Sequence, residues 1–273
     1  MTVTNSIELE PIAEAGVMAY IDGGDTWANL KATTGNEIGD NSDTRYPGIS
    51  PYSTINTYVQ IERGILIFPT YVLPDDSTIK SSVFSVYGYS KNNALGDPSA
   101  NIYNVTTLSD TSISASDYDT CGTTTYCNTP IPYASWNDVG WNNFTLNATG
   151  LAAISKTGVT KICIREVNFD VANVEPTWAV GFSELDYFSA RYDVIHKPKL
   201  KITFSYTPKS GHIWIESNDF HYIDSSGVER ICFGLITAMT KTATNKSYIW
   251  IEGNNFDYID NSLLKRVTLG VPV

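Results

Sequence analysis

Basic residues are scarce in this chain: 18 Lys and Arg stand against 29 Asp and Glu, a formal net charge of −11. Nucleic acid, whose phosphates need a basic face, is thereby excluded as a partner. Histidine is limited to His196, His212 and His221, so few groups titrate near neutrality for acid–base chemistry. No run reaches the roughly 18 apolar residues of a membrane span, and no segment holds helical apolar periodicity for three turns. The opening residues Met1–Ser6 lack the basic patch and apolar stretch of an export signal. Absent too are a Gly-x-Ser-x-Gly elbow, a His-Glu-x-x-His pair and a phosphate loop. Among the acids only Glu184 and Asp186 catch the eye, at alternate positions of one strand; they are read as a solvated strand edge or a calcium ligand rather than a catalytic pair. The expectation is a protein that is not an enzyme.

Aromatic, polar and turn-forming residues are plentiful. At 42% hydrophobic and 17% charged, the 273-residue chain has enough apolar mass for a proper core. Its 17 Tyr, 6 Trp and 10 Phe suit strands first, and flat ligands such as sugars second. The Thr-, Ser- and Asn-rich composition has an extracellular look. Asn104, Asn143, Asn147 and Asn245 each open a glycosylation sequon. Without an export signal, such a chain is released by lysis as part of a virion, leaves by another route, or has lost a leader; the initial Met weighs against the last.

Four cysteines are present. Cys121 and Cys127 bracket a short polar loop and are a disulfide candidate; a zinc site there lacks nearby histidine. Cys163 and Cys232 lie in apolar runs and read as small buried hydrophobes. Asp22, Asp25, Glu37, Asp40 and Asp43 fall in loops, where a structural calcium is possible although no EF-hand spacing appears. No other cofactor is implied.

Short strands recur between turn clusters, beginning with Val17–Ile21 and running through Tyr58–Phe68, Thr78–Tyr89, Ile102–Val105, Asn143–Leu146, Thr160–Val167, Tyr187–Tyr192 and Lys199–Tyr206. Between the first two, residues 33–54 read as a long surface loop. Gly64 marks a bulge or a close approach. Along Thr78–Tyr89, alternation puts Ile79, Val83, Ser85, Tyr87 and Tyr89 on one face and Val86 on the other. Leu151–Ser155 has the look of one helical turn. The pattern predicts an all-β fold: a jelly-roll-like sandwich over residues 15–206 after an N-terminal arm (1–14), with Val17, Ile65, Ile67, Val83, Ile162 and Ile202 inside. Trp27, Tyr46 and Tyr52, in or near the long loop, are candidate glycan contacts.

Beyond a linker at 207–211 the chain repeats itself. Residues 212–224 align with 248–260, the tryptophans Trp214 and Trp250 standing 36 residues apart, and the match extends to Arg230 with Arg266. Each copy (212–247 and 248–273) reads as a three-stranded meander too small to bury a core alone. Trp214, Phe220, Tyr222, Trp250, Phe256 and Tyr258 are therefore candidate assembly residues; an aromatic platform for sugar is the competing reading.

The segments Arg63–Phe68, Leu73–Ser82 and Phe84–Gly88, with Pro132–Trp136, Phe144–Gly150 and Lys197–Phe204, resemble the core of DNRLRE-type domains, β-sandwich modules similar to carbohydrate-binding modules. The Trp-x-Glu and Tyr-Ile-Asp repeat resembles a small module at the ends of phage and bacterial surface proteins. These resemblances imply a non-catalytic virion structural protein of a bacteriophage: a tail-fibre, head-fibre or decoration subunit with a glycan- or receptor-binding sandwich. They also imply a homo-oligomer, a trimer, docking to other virion or surface proteins, with host glycan as a further partner. An extracellular or cell-surface fibre or adhesin subunit of a prokaryote is the alternative. The Cys121 and Cys127 pair is not a feature of the family, and no family ligand site carries over.

Overall fold

Alternation of apolar and polar residues over short runs makes strands, and strands dominate the computed structural model. It describes residues 2–39 and 43–207 and, beyond them, the backbone of six strands between 213 and 268. The chain divides into two compact units, 1–207 and 208–273.

The first unit contains β1 (Val3–Leu9), β2 (Ala13–Asp25), β3 (Glu37–Gly39), β4 (Thr44–Arg45), β5 (Gly48–Pro51), β6 (Tyr58–Phe68), β7 (Thr78–Asn93), β8 (Ser99–Val105), β9 (Cys121–Thr125), β10 (Ile131–Pro132), β11 (Trp141–Thr145), β12 (Thr160–Glu166), β13 (Ser183–Phe188) and β14 (Lys199–Tyr206). All pairings are antiparallel. The long β7 belongs to two layers. Its first half pairs with β14 and β11, and β14 in turn with β1. Its second half pairs with β13, which leads through β5 to β6 and the larger layer. There β6 takes β2 on one side, and β5 then β12 on the other.

Two cores result. Between the layers, Phe84, Val86, Phe144, Leu200 and Ile202 of the smaller meet Leu66, Phe68, Ile102, Ile162 and Leu185 of the larger. Complete burial of each such side chain contributes about 1.5–3 kcal/mol. On the other face of the larger layer, Val17, Ala19, Ile61, Ile65 and Cys163 pack under a short helix α1 (Trp27–Ala32) and the 3-10 segment Ala115–Thr120. Val17 and Ile65 are thus buried, but outside the sandwich interior. Val83 is a correction: it is half-buried and faces away from the core, while its neighbours Phe84 and Val86 are fully buried. A period of two lets only one of the two sets point inward.

The other corrections share one cause, that elements of two to six residues, or edge strands, leave little periodicity to read. Residues 1–14 are not an arm: β1 pairs from Val3 with Tyr206 to Leu9 with Leu200. The expected loop 33–54 holds β3, β4 and β5, with Arg45 and Ile49 buried. Helix α1, capped by the Thr26 side chain, spans only six residues and buries Trp27 and Leu30 on one side. The helical turn near Leu151 forms as α2 (Ala148–Ala152), capped by Asn147. Gly64 is a close approach: a Cβ there would stand 2.4 Å from Tyr187 Oη and 2.6 Å from Ile164 Cγ2.

In the second unit each repeat is a three-stranded antiparallel sheet, β15 (Ile213–Glu216), β16 (Asp219–Ile223) and β17 (Glu229–Cys232), then β18 (Tyr248–Glu252), β19 (Asn255–Asp260) and β20 (Leu263–Thr268). The first hairpins share one register, Trp214 opposite His221 and Trp250 opposite Asp257. The third strands do not: Tyr222 faces Arg230, but Tyr258 faces Lys265, so Arg266 is one position out of step with Arg230.

Candidate functional site

The outward set on β7 is the start of the most prominent surface. Tyr87 and Tyr89 point away from the core, and Trp141 on β11 stands opposite Tyr87. β13 ends on Phe188, and the connection after it adds Tyr192 and His196. Their rings interlock: Tyr87 meets Trp141 edge-on at 5.4 Å and His196 at 4.3 Å, and Phe188 stacks on Tyr192 at 4.0 Å and 21°. Tyr89 is 53% and Tyr192 46% exposed, with Val194 and Ile195 more open still. Lys199 Nζ lies 4.7 Å from the Trp141 ring centre and pairs with Glu8 at 3.0 Å. His196 Nδ1 is 2.6 Å from the Asp193 carboxylate, which fixes the ring. Tyr87 donates its hydroxyl to the Val139 carbonyl at 2.7 Å. These contacts hold the aromatic rings in fixed orientations.

Polar groups continue this surface along β11. Ser85 donates to Asn143 Oδ1 at 2.7 Å. Asn143 and Thr145 then form one side of an open groove of about 490 Å³, whose other walls include Asn128, Pro130, Pro132 and Ser135. None of its lining residues is charged. Asn147 also borders it, but its side chain is committed, accepting from Gly150 N at 2.9 Å and donating to the Thr125 carbonyl and Asn128 at 3.0 Å each.

A second cluster is buried in the larger layer. Glu62 on β6 and Glu184 on β13 both pair with Gly48 of β5 and share one face. Burial pushes Glu62 up to about 8 and Glu14 to about 7. Burial, then the neighbouring Asp186, pushes Glu184 to about 7. Glu184 and Asp186 are corrections to the solvated-edge reading: β13 is an interior strand and both are over nine-tenths buried. Asn92 donates to Glu184 at 2.9 Å, Ser90 donates to Asp186, and Tyr46 N and Gln60 donate to Glu62. These bonds tie Glu62, Glu184 and Asp186 to neighbouring segments, while Glu14 borders an open groove of about 350 Å³ with Ile113 and Arg191. On the opposite face Asp170 accepts from Arg63 and Arg165, at 2.8–2.9 Å, and pairs with Lys31 at 2.7 Å. Burial alone would raise the Asp170 pKa; the two guanidiniums outweigh it and hold the carboxyl well below its ordinary value.

The structure does not bring Trp27, Tyr46 and Tyr52 together. Trp27 is 5% exposed, packed edge-on against Tyr58 in the outer core. Tyr46 is half-buried beside Glu62, across the sheet from Trp27. Tyr52 is 37% exposed and lies over Gly24. Among the described residues no three His, Cys, Asp or Glu are grouped to hold a metal; Asp40, one of the suggested calcium ligands, is outside them. Cys121 and Cys127 are not bridged. Cys121 belongs to the outer core and Cys127 to the inner one, and the β8–β9 pairing between them carries a register shift. The side chains of Trp214, Phe220, Tyr222, Trp250, Phe256, Tyr258 and Cys232 lie outside the described residues. The aromatic surface escaped sequence reasoning although alternation marked Tyr87 and Tyr89; its partners come from segments more than fifty positions away. No long apolar helix is present among the described residues. No family model matches the chain, and no curated protein matches it.

Proposed function

We propose that this chain is a non-catalytic structural subunit of a bacteriophage virion, of the tail-fibre, head-fibre or decoration type, whose sandwich binds glycan through the Tyr87–Trp141–Phe188–Tyr192 surface and whose repeats dock or oligomerise. The ring cluster carries this reading. The C–H faces of a sugar stack on exposed aromatic rings, and its hydroxyls need amides and hydroxyls close by. Asn143, Ser85 and the uncharged groove provide the second requirement next to the first. The neutral lining favours a neutral glycan on a protein of net charge −11. The virion setting draws on the resemblance of the repeats to a module at the ends of phage and bacterial surface proteins.

A glycan array probed with the full chain tests the binding half. The wild type should bind a neutral oligosaccharide, and Tyr192→Ala should lose most of that binding with its melting temperature unchanged. A wild type that binds no glycan, or a Tyr192→Ala variant that binds as well as wild type, refutes the assignment of the surface.

A further inference from the structure

Three described cysteines are buried, and two of them meet. Cys163 Sγ lies 2.8 Å from Cys121 Sγ, closer than two unbonded thiols normally rest. Cys163 sits on β12, opposite Tyr103 of β8, and Cys121 opens β9, opposite Val105 of the same strand. The two sulfurs therefore converge from both sides of β8. Cys127, the nearer cysteine in sequence, instead directs its thiol to the Thr129 carbonyl at 3.4 Å. The geometry points to Cys121 and Cys163 as an intramolecular disulfide site, a staple between β9 and β12 across β8. Closing the bond requires the sulfurs to approach by roughly 0.8 Å to the covalent length of about 2.05 Å.

The reaction is exchange with a low-molecular-weight disulfide such as oxidised glutathione. One cysteine attacks as the thiolate and breaks the S–S bond of the oxidant, releasing one thiol. The second cysteine then displaces the other half. Two cysteine thiols lose two protons and two electrons, one S–S bond forms, and the oxidant leaves as two thiols. Burial pushes the Cys163 thiol well above its ordinary pKa, so the closed fold reacts slowly. Exchange belongs to the stage before β9 pairs with β8. Once formed, the bridge fixes the connection 106–120, with its 3-10 segment, to the interior of the larger layer. The chain would carry this bridge only after passing through an oxidising environment, which binds the inference to where the protein matures rather than to what it binds.

Peptide mapping of the full wild-type chain decides the matter. The protein is refolded in oxidised and reduced glutathione, quenched in acid, alkylated in denaturant and digested without reductant. The expected result is a Cys121 peptide joined to a Cys163 peptide, with Cys127 alkylated. Alkylation of both Cys121 and Cys163, or a bond from Cys121 to Cys127, overturns the assignment. Reductant should also lower the melting temperature of oxidised wild type and of Cys127→Ser by several degrees, and leave Cys163→Ser unmoved. If Cys163→Ser does not fold, the wild-type map still decides.

Discussion

Asp170 shows how differently ion pairs of similar length weigh. It is fully enclosed and answers two arginines and a lysine, whereas Glu10 meets Lys197 at 2.8 Å on an exposed edge. Removing the shared carboxylate strands buried cations, so Asp170→Asn should cost about 3–5 kcal/mol in urea unfolding. Glu10→Gln should cost at most about 1 kcal/mol. Equal losses from the two would show that the Asp170 cluster is not a keystone of the outer core. Titration follows the same residues. In the unfolded chain Glu14, Glu62 and Glu184 ionise near their ordinary 4.5, but in the fold they keep their protons up to about 7, 8 and 7. Between those values the folded state binds more protons, so stability is full below about pH 4.5 on their account and falls as pH rises towards 8. Asp170 acts in the opposite sense: its depressed pKa gives stability above its ordinary value of 3.8, lost as pH falls further. Melting temperature should therefore peak between about pH 4 and 5 and decline towards 8. A curve that rises across pH 5 to 8 contradicts the buried-acid assignment. Glu62→Gln should flatten the decline.

Elements were legible in proportion to their length and regularity. The alternation on β7 is plain in the sequence and does separate Tyr87 and Tyr89 from Val86. What it cannot say is which set faces inward, since Val83 and Phe84 are equally apolar and only the neighbouring strands decide. The cysteines make a related point. Six residues of sequence separation made Cys121 and Cys127 look adjacent, while β8 brings Cys121 to a cysteine 42 residues away. The ring surface is equally non-local, joining β7, β11, the end of β13 and the connection after it. At the N-terminus a seven-residue strand passed for an arm because only its pairing with β14 identifies it. That pairing carries a prediction. Deleting residues 2–9 removes the buried Leu9 and bares the edge of β14, which invites pairing with other chains. The truncated protein should melt at a lower temperature and aggregate on size-exclusion chromatography. An unchanged melt and a single peak would reduce β1 to an ornament.

At the scale of the whole molecule, the division at Thr207 separates a unit with two cores of its own from a unit of two three-stranded sheets. The first has two apolar cores of its own, so a chain ending at Thr207 should fold, with a melting transition close to that of the full protein. The second differs in kind. A three-stranded sheet offers two edges with unpaired amides, and a sequence such as Ile213-Trp214-Ile215 alternates with too few polar residues to be comfortable in water. Burial of one tryptophan contributes on the order of 2–3 kcal/mol, a large share of what a domain of this size has in net stability. The two tandem copies share the register of their first hairpin, which offers one apolar pattern twice and suits association around an axis or along a fibre. Light scattering distinguishes the possibilities. The full chain should form a closed oligomer, for which a trimer is the proposed count, and the chain ending at Thr207 should be a monomer that still binds glycan. A truncated chain that keeps the full oligomeric state would move assembly to the sandwich. Loss of glycan binding with assembly would instead show that the ring surface works only when several copies present it together.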